Sequence, residues 1–147
     1  MIDNDFDHVG FITRDLDRTL DFWTKQIGLE ATPVVERTAP WVEQMTGIAG
    51  AKLRIAHLFG KDVHLEFLEL LDRDPSEATP VNSAANCTGH VCIRVDDPVA
   101  CLARVEAAGG RAIGSLATIT EGALAGYTGV YAADPNGLLV EILQRKQ

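Results

Sequence analysis

Basic residues are scarce. Thirteen Lys and Arg stand against 21 Asp and Glu in 147 residues, a net charge of −8. A surface of that sign repels phosphate backbones and anionic lipid, which argues against nucleic-acid and membrane-surface partners. Long apolar runs are missing as well: none approaches the ~18 residues of a membrane span. The opening MIDNDFDHVGF is acidic and lacks the basic and apolar regions of a signal peptide. A cytoplasmic location is therefore expected. Cysteines number three, Cys87, Cys92 and Cys101, with no CxxC pair among them. An odd, scattered set excludes a disulfide framework and a cysteine zinc site. All three read as buried or neutral thiols, not as nucleophiles. Apolar residues, at 46%, are plentiful enough for the core of one domain or of two small similar halves.

The chain reads as the same pattern twice. Phe6–Thr13 is a strand by alternation, with His8, Gly10 and Ile12 on one face and Val9 and Phe11 on the other. A helix follows, its stripe set by Leu16, Leu20, Trp23 and Ile27, its start capped by Asp15 or Asp17 and its end marked by Gly28. Strands are expected near Glu30–Glu36, Ala51–Phe59 and Val63–Leu71, the last two joined as a hairpin through Gly60-Lys61-Asp62. Trp41–Gly47 reads as a short helical insertion. Arg73–Asn86 has linker composition. The pattern then restarts: a strand over Gly89–Val95, then a helix opened by Asp97-Pro98, striped by Val99, Leu102 and Val105 and stopped by Gly109-Gly110. Strands are expected near Arg111–Ile113, Tyr127–Ala132 and Leu138–Leu143, with an Asp134-Pro135-Asn136-Gly137 turn. DHVGFI aligns with GHVCIR and VHLEFL with LLVEIL. The His-to-Glu spacing is seven residues longer in the first half, which Trp41–Gly47 accounts for.

Each half thus places a histidine in its first strand and a glutamate in its last: His8 with Glu66, and His90 with Glu141. All four are flanked by apolar residues that face the other way. Charged groups at the centre of a strand need a partner. Any one of the four has an ordinary alternative as a solvated or ion-paired strand residue. Repetition of the pair favours a divalent metal. Two imidazoles and two carboxylates suit Ni, Co, Zn, Mn or Fe.

These segments carry a family resemblance. FDHVGFITRDLDRTLDFWTKQIGLE, VHLEFLEL, GHVCIRVDD and YAADPNGLLVEILQ resemble the motifs of the vicinal oxygen chelate superfamily, and together span nearly the whole chain. The resemblance implies an α+β fold. Two βαβββ modules, about 1–73 and 87–147, would form an eight-stranded cup as one glyoxalase-like domain. It implies His8, Glu66, His90 and Glu141 as metal ligands, with Glu66 or Glu141 as a catalytic base. Glu66 matches Glu141 in spacing, whereas Glu69 lies on the opposite strand face. The implied activity is that of a glyoxalase-type isomerase or lyase on a small-molecule substrate, moving a proton next to a carbonyl through a metal-bound enolate. Coenzyme A epimerases of the family resemble this chain less. Their catalytic Glu has only Glu43, in WVEQMTGIAGAK, as a loose counterpart.

Two rival functions stay open: an extradiol-type dioxygenase using ferrous iron, and a non-enzymatic small-molecule binding protein of the resistance kind. A homodimer is expected, from strand edges left open and from the habit of the family. Other residues have double readings. His64 shares the face of Glu66 and either lines the site or ends its strand in solvent. Tyr127 and Tyr131 are substrate contacts or core. Thr120–Ala123 is a closing loop or plain connection. His57 and Trp41 read as packing residues.

Overall fold

A computed structural model describes residues 6–72, 89–123 and 125–144. The chain divides into two compact units, Met1–Ala78 and Thr79–Gln147. The linker-like segment Arg73–Asn86 and Cys87 lie outside the described residues.

In the first unit β1 (Val9–Thr13) leads into α1 (Leu16–Phe22). Asp15 caps the helix, its Oδ1 accepting from the Arg18 amide at 2.9 Å, a bond worth about 1 kcal/mol. The helix then widens into a π turn over Trp23–Ile27 and stops at Gly28, where φ is +88°. The buried residues are Leu16, Thr19, Phe22 and Trp23, so the buried face is rotated from the expected Leu16–Leu20–Trp23–Ile27 stripe. Thr19 sits inward because its hydroxyl is satisfied there, 2.7 Å from that of Thr13 and 2.9 Å from the Asp15 carbonyl.

The expected second strand is broken in two, β2 (Glu30–Ala31) and β3 (Val35–Arg37), both paired with β4 (Leu53–Gly60). Pro33 lies in the gap, where a residue without an N–H cannot continue a ladder. The insertion is helical as expected, α2 (Pro40–Thr46). Its buried residue is Val42, while Trp41 is 44% exposed and is not the packing residue foreseen. β5 (Val63–Leu70) forms the hairpin with β4 and pairs parallel with β1.

The second unit repeats the order: β6 (His90–Val95), α3 (Pro98–Ala107), β7 (Arg111–Ala112), β8 (Ala117–Thr118), β9 (Thr128–Ala133) and β10 (Leu139–Gln144). β7 and β8 both pair with β9, so this second strand is also interrupted. β10 lies between β6 and β9. Asp97 caps α3 through the Ala100 amide at 3.0 Å, with Pro98 at the first position. The buried stripe is Pro98, Cys101 and Val105, and Val99 faces solvent. Gly109 takes φ +90° to end the helix. At Gly110 a Cβ would lie 2.5 Å from the Ala133 carbonyl oxygen, which only glycine avoids. Asp134 builds the turn before β10, its Oδ1 accepting from the amides of Asn136 and Leu138 at 2.9 Å each. Each unit is therefore a mixed sheet of one βαβββ type, and the fold class is α+β.

Sheet faces follow from alternation. In the first unit Leu65 and Phe67 are buried on the α1 side, and the Phe67 ring lies 5.7 Å from Trp23. Each such side chain contributes about 1.5–3 kcal/mol. Arg54 on the same side ties α1 to the sheet, bonding Asp17 at 2.8 Å and Glu69 at 2.8 Å. Its guanidinium holds the Asp17 carboxyl below the usual carboxylate range. The opposite face splits along its length. Leu53, Ile55, Leu68 and Leu70 pack with Val42 of α2 at one end. The other end is polar.

Arg54→Ala should lower the unfolding free energy by about 1–2 kcal/mol at pH 7. A depressed folded pKa stabilises above the unfolded value near 4, and that stabilisation is lost as pH falls through the folded one. The difference from wild type, measured by urea unfolding, should narrow between pH 5 and pH 3. An equal difference at both pH values would refute the ion-pair account.

Candidate functional site

The polar end of the first sheet holds three imidazoles around one carboxylate. Glu66 sits mid-β5, opposite Gly10 on β1 and His57 on β4. Its side chain is 18% exposed. Gly10 makes room for it: a Cβ there would lie 3.2 Å from Glu66 Oε2. That oxygen is 3.3 Å from Nε2 of His8, which immediately precedes β1. The other oxygen, Oε1, faces Nε2 of His57 at 3.7 Å. Nδ1 of His57 is 3.0 Å from Nε2 of His64, and the His64 ring stacks on Phe59 at 4.4 Å. His57, expected to pack, is thus part-exposed and meets Glu66 and His64 as well as Phe59.

Nδ1 of His8 bonds Oδ2 of Asp7. That bond raises the His8 pKa, Glu66 adding to it, and lowers that of Asp7. Asp7, His8 and His64 offer ligand atoms within 4.8 Å of one another. His64 is thus part-buried beside His8 and His57.

The second sheet repeats the pair with different neighbours. Glu141 sits mid-β10, opposite Cys92 on β6 and Tyr131 on β9. Oε2 of Glu141 is 3.1 Å from Nε2 of His90. The Tyr131 ring meets His90 edge-on at 5.1 Å. Burial raises the Tyr131 pKa, and the Glu141 charge and hydrogen bond add to it. Burial likewise pushes the Cys92 thiol up to about 11, with Glu141 adding. Cys92 is therefore a neutral thiol at the site, whereas Cys101 is buried in the core. Further along the sheet the Arg94 guanidinium lies 5.7 Å from the centre of the Tyr127 ring.

The remaining candidates fall elsewhere. Glu43 is structural, its Oε2 accepting from the Gly50 amide at 3.0 Å after α2. Thr120–Ala123 is the tip of a hairpin pinned by Gly126 N–H to Ile119 O and Ile119 N–H to Tyr127 O, both 2.8 Å. Within each unit the structure brings together the His and Glu expected from the sequence. His57 and Tyr131 were given other or double roles there, yet they are the residues directly across from the two glutamates.

Two like modules, each with a histidine–glutamate pair at the same place in its sheet, define a duplicated α+β protein built to present ligand-type side chains. The chain belongs to the glyoxalase/bleomycin resistance protein/dioxygenase superfamily, whose model matches residues 5–142. A 2-epi-5-epi-valiolone epimerase from Actinomyces sp. is 34% identical over 141 residues, covering 92% of this chain and 76% of that protein. A glyoxalase family protein from Bacillus cereus shares the fold with a TM-score of 0.76 at 21% identity, over 98% of this chain and 97% of that one. Maize glyoxalase I aligns with a TM-score of 0.62 at 20% identity, over 95% of this chain and 44% of its own. Family membership and the named epimerase point to an enzyme of isomerase type. Among the described residues no helix is long and apolar enough to cross a membrane.

Proposed function

We propose that this protein is a metal-dependent isomerase that moves a proton on the carbon next to a carbonyl. His8, Glu66, His90 and Glu141 are its metal ligands, and Glu66 or Glu141 is its base. The observation that carries the proposal is the repeated pair: in each unit an imidazole Nε2 faces a carboxylate oxygen, at 3.3 Å and at 3.1 Å. This donor set fits a divalent ion of the Ni, Co, Zn, Mn or Fe kind, and both carboxylates are mostly shielded from water. Bound there, the ion supplies a Lewis acid for the substrate carbonyl.

The chain's own groups do the rest. One glutamate oxygen takes the proton from the carbon next to the carbonyl and holds it. A proton taken from solvent water and returned to the opposite face inverts that centre, and the glutamate then gives its own proton back to solvent. The relative named as an epimerase of 2-epi-5-epi-valiolone supports inversion, and a small hydroxylated ketone is the substrate class that follows. The active form is a cytoplasmic homodimer of single two-module domains.

Glu141→Gln and His90→Ala should each remove most of the bound metal and leave the circular dichroism of the fold in place. Elemental analysis of protein reconstituted with Ni, Co, Zn, Mn and Fe(II) in turn checks this, and a wild type that retains none would sink the metal reading.

Metal-loaded protein in deuterated water should place deuterium in 2-epi-5-epi-valiolone next to its carbonyl, and chelation should abolish the exchange. Glu66→Asp and Glu141→Asp, which move a carboxylate by about 1 Å, should slow it about a hundredfold. Oxygen uptake with a catechol and ferrous iron, without exchange, would favour a dioxygenase instead. Binding that ignores the metal would favour a sequestering protein.

Light scattering should give twice the 15.9 kDa chain mass. A monomer at micromolar concentration would overturn the dimer.

A further inference from the structure

The two units surround the same His–Glu pair with different groups, and the strand register makes the comparison residue by residue. Gly10 pairs with Glu66 and Cys92 with Glu141; His57 pairs with Glu66 and Tyr131 with Glu141. His57 and Tyr131 are therefore equivalent positions, each directly across an antiparallel strand pair from the glutamate. Cross-strand partners are close enough to touch, and both are polar where a core position would be apolar.

In the first unit the two oxygens of Glu66 are divided. Oε2 faces His8 and Oε1 faces His57. The His57 ring is held from several sides. Its backbone N–H donates to Thr32 Oγ1 at 3.0 Å, its Nδ1 meets His64, and Phe59 stacks beside it at 6.5 Å between centroids. Its free Nε2 has one carboxylate before it. At 3.7 Å that contact needs about 0.7 Å of movement to reach ordinary hydrogen-bond length.

We infer that His57 is a positioning residue for Glu66: its Nε2 engages Oε1, leaving Oε2, on the His8 side, as the oxygen offered to the metal. Tyr131 does the same for Glu141 from the equivalent place. The inference rests on the metal reading above and goes beyond it. It gives each ligating carboxylate an outer partner that sets which oxygen points inward. Outer partners of this kind are worth about 10–100-fold in metal affinity.

The test is Co(II) binding to the full chain, followed by titration and by the visible absorption of the bound ion, with circular dichroism as the check on folding. His57→Phe should keep a capacity of one ion per chain, weaken binding about 10–100-fold and shift the visible bands. His57→Gln, which keeps a donor near Nε2, should return affinity to within about threefold of wild type. Tyr131→Phe, which loses only the hydroxyl, repeats the test in the second unit should His57→Phe not fold. Unchanged affinity and bands in His57→Phe and Tyr131→Phe, with a wild type that binds Co(II), overturn this inference alone. Equal loss in His57→Gln and His57→Phe overturns it too, because ring packing would then be the cause. A wild type that binds no metal removes both this inference and the reading beneath it.

Discussion

A carboxylate in the middle of a β-strand, shielded from most of the water, has to be matched by something that stabilises its charge. Glu66 and Glu141 are such groups, and much of the local architecture of each sheet exists to match them. Gly10 gives up a side chain so that the Glu66 carboxylate can lie across β1. His8 and His57 take one oxygen each. In the second sheet the same demand is met by His90 with Tyr131 and Cys92. Partners of this kind stabilise each carboxylate and hold it in place.

The rest of the first unit keeps that end of the sheet polar while stabilising it from elsewhere. Apolar burial is concentrated on the α1 face, around Trp23 and Phe67, and under α2, where Val42 covers Leu53. The insertion thus supplies a local core at the end of the face away from the imidazoles. Arg54 anchors α1 from the far side through Asp17 and Glu69. Three residues along β5 reverse the face, so Glu69 meets Arg54 while Glu66 meets the histidines.

Much of this was legible in the sequence because it rests on short-range rules. Alternation placed His8, Glu66, His90 and Glu141 on the polar faces, and caps at Asp15 and Asp97 are local hydrogen bonds between residues three apart. The misses have non-local causes. The second strand of the first unit breaks, and the second unit adds β8 to the expected β7, because two separate short segments pair with one neighbour, which no window of sequence reveals. α1 turns its Thr19 inward because of a hydroxyl on β1, and α3 turns Val99 outward in favour of Cys101. His57 was read as packing because its own strand, LRIAHLF, is apolar around it. A signal was available all the same. The hairpin closes on the Gly60–Val63 pair, and counting three residues back along each strand sets His57 opposite Glu66.

The asymmetry between the units bears on chemistry. Gene-duplicated halves would begin with equal surroundings for the two glutamates, yet Glu66 now lies among imidazoles and Glu141 among a phenol and a thiol. The Tyr131 phenol lies directly across from Glu141, and burial and the Glu141 charge both raise its pKa. The His57 imidazole is linked to a second, that of His64, whose ligand atom lies within 4.8 Å of those of Asp7 and His8. The inversion proposed above takes a proton from one face of the carbon and returns one to the other, and differently surrounded groups suit those two steps. Across from the glutamates the units differ, His57 against Tyr131 and Gly10 against Cys92, while the histidine and glutamate of each pair are the same.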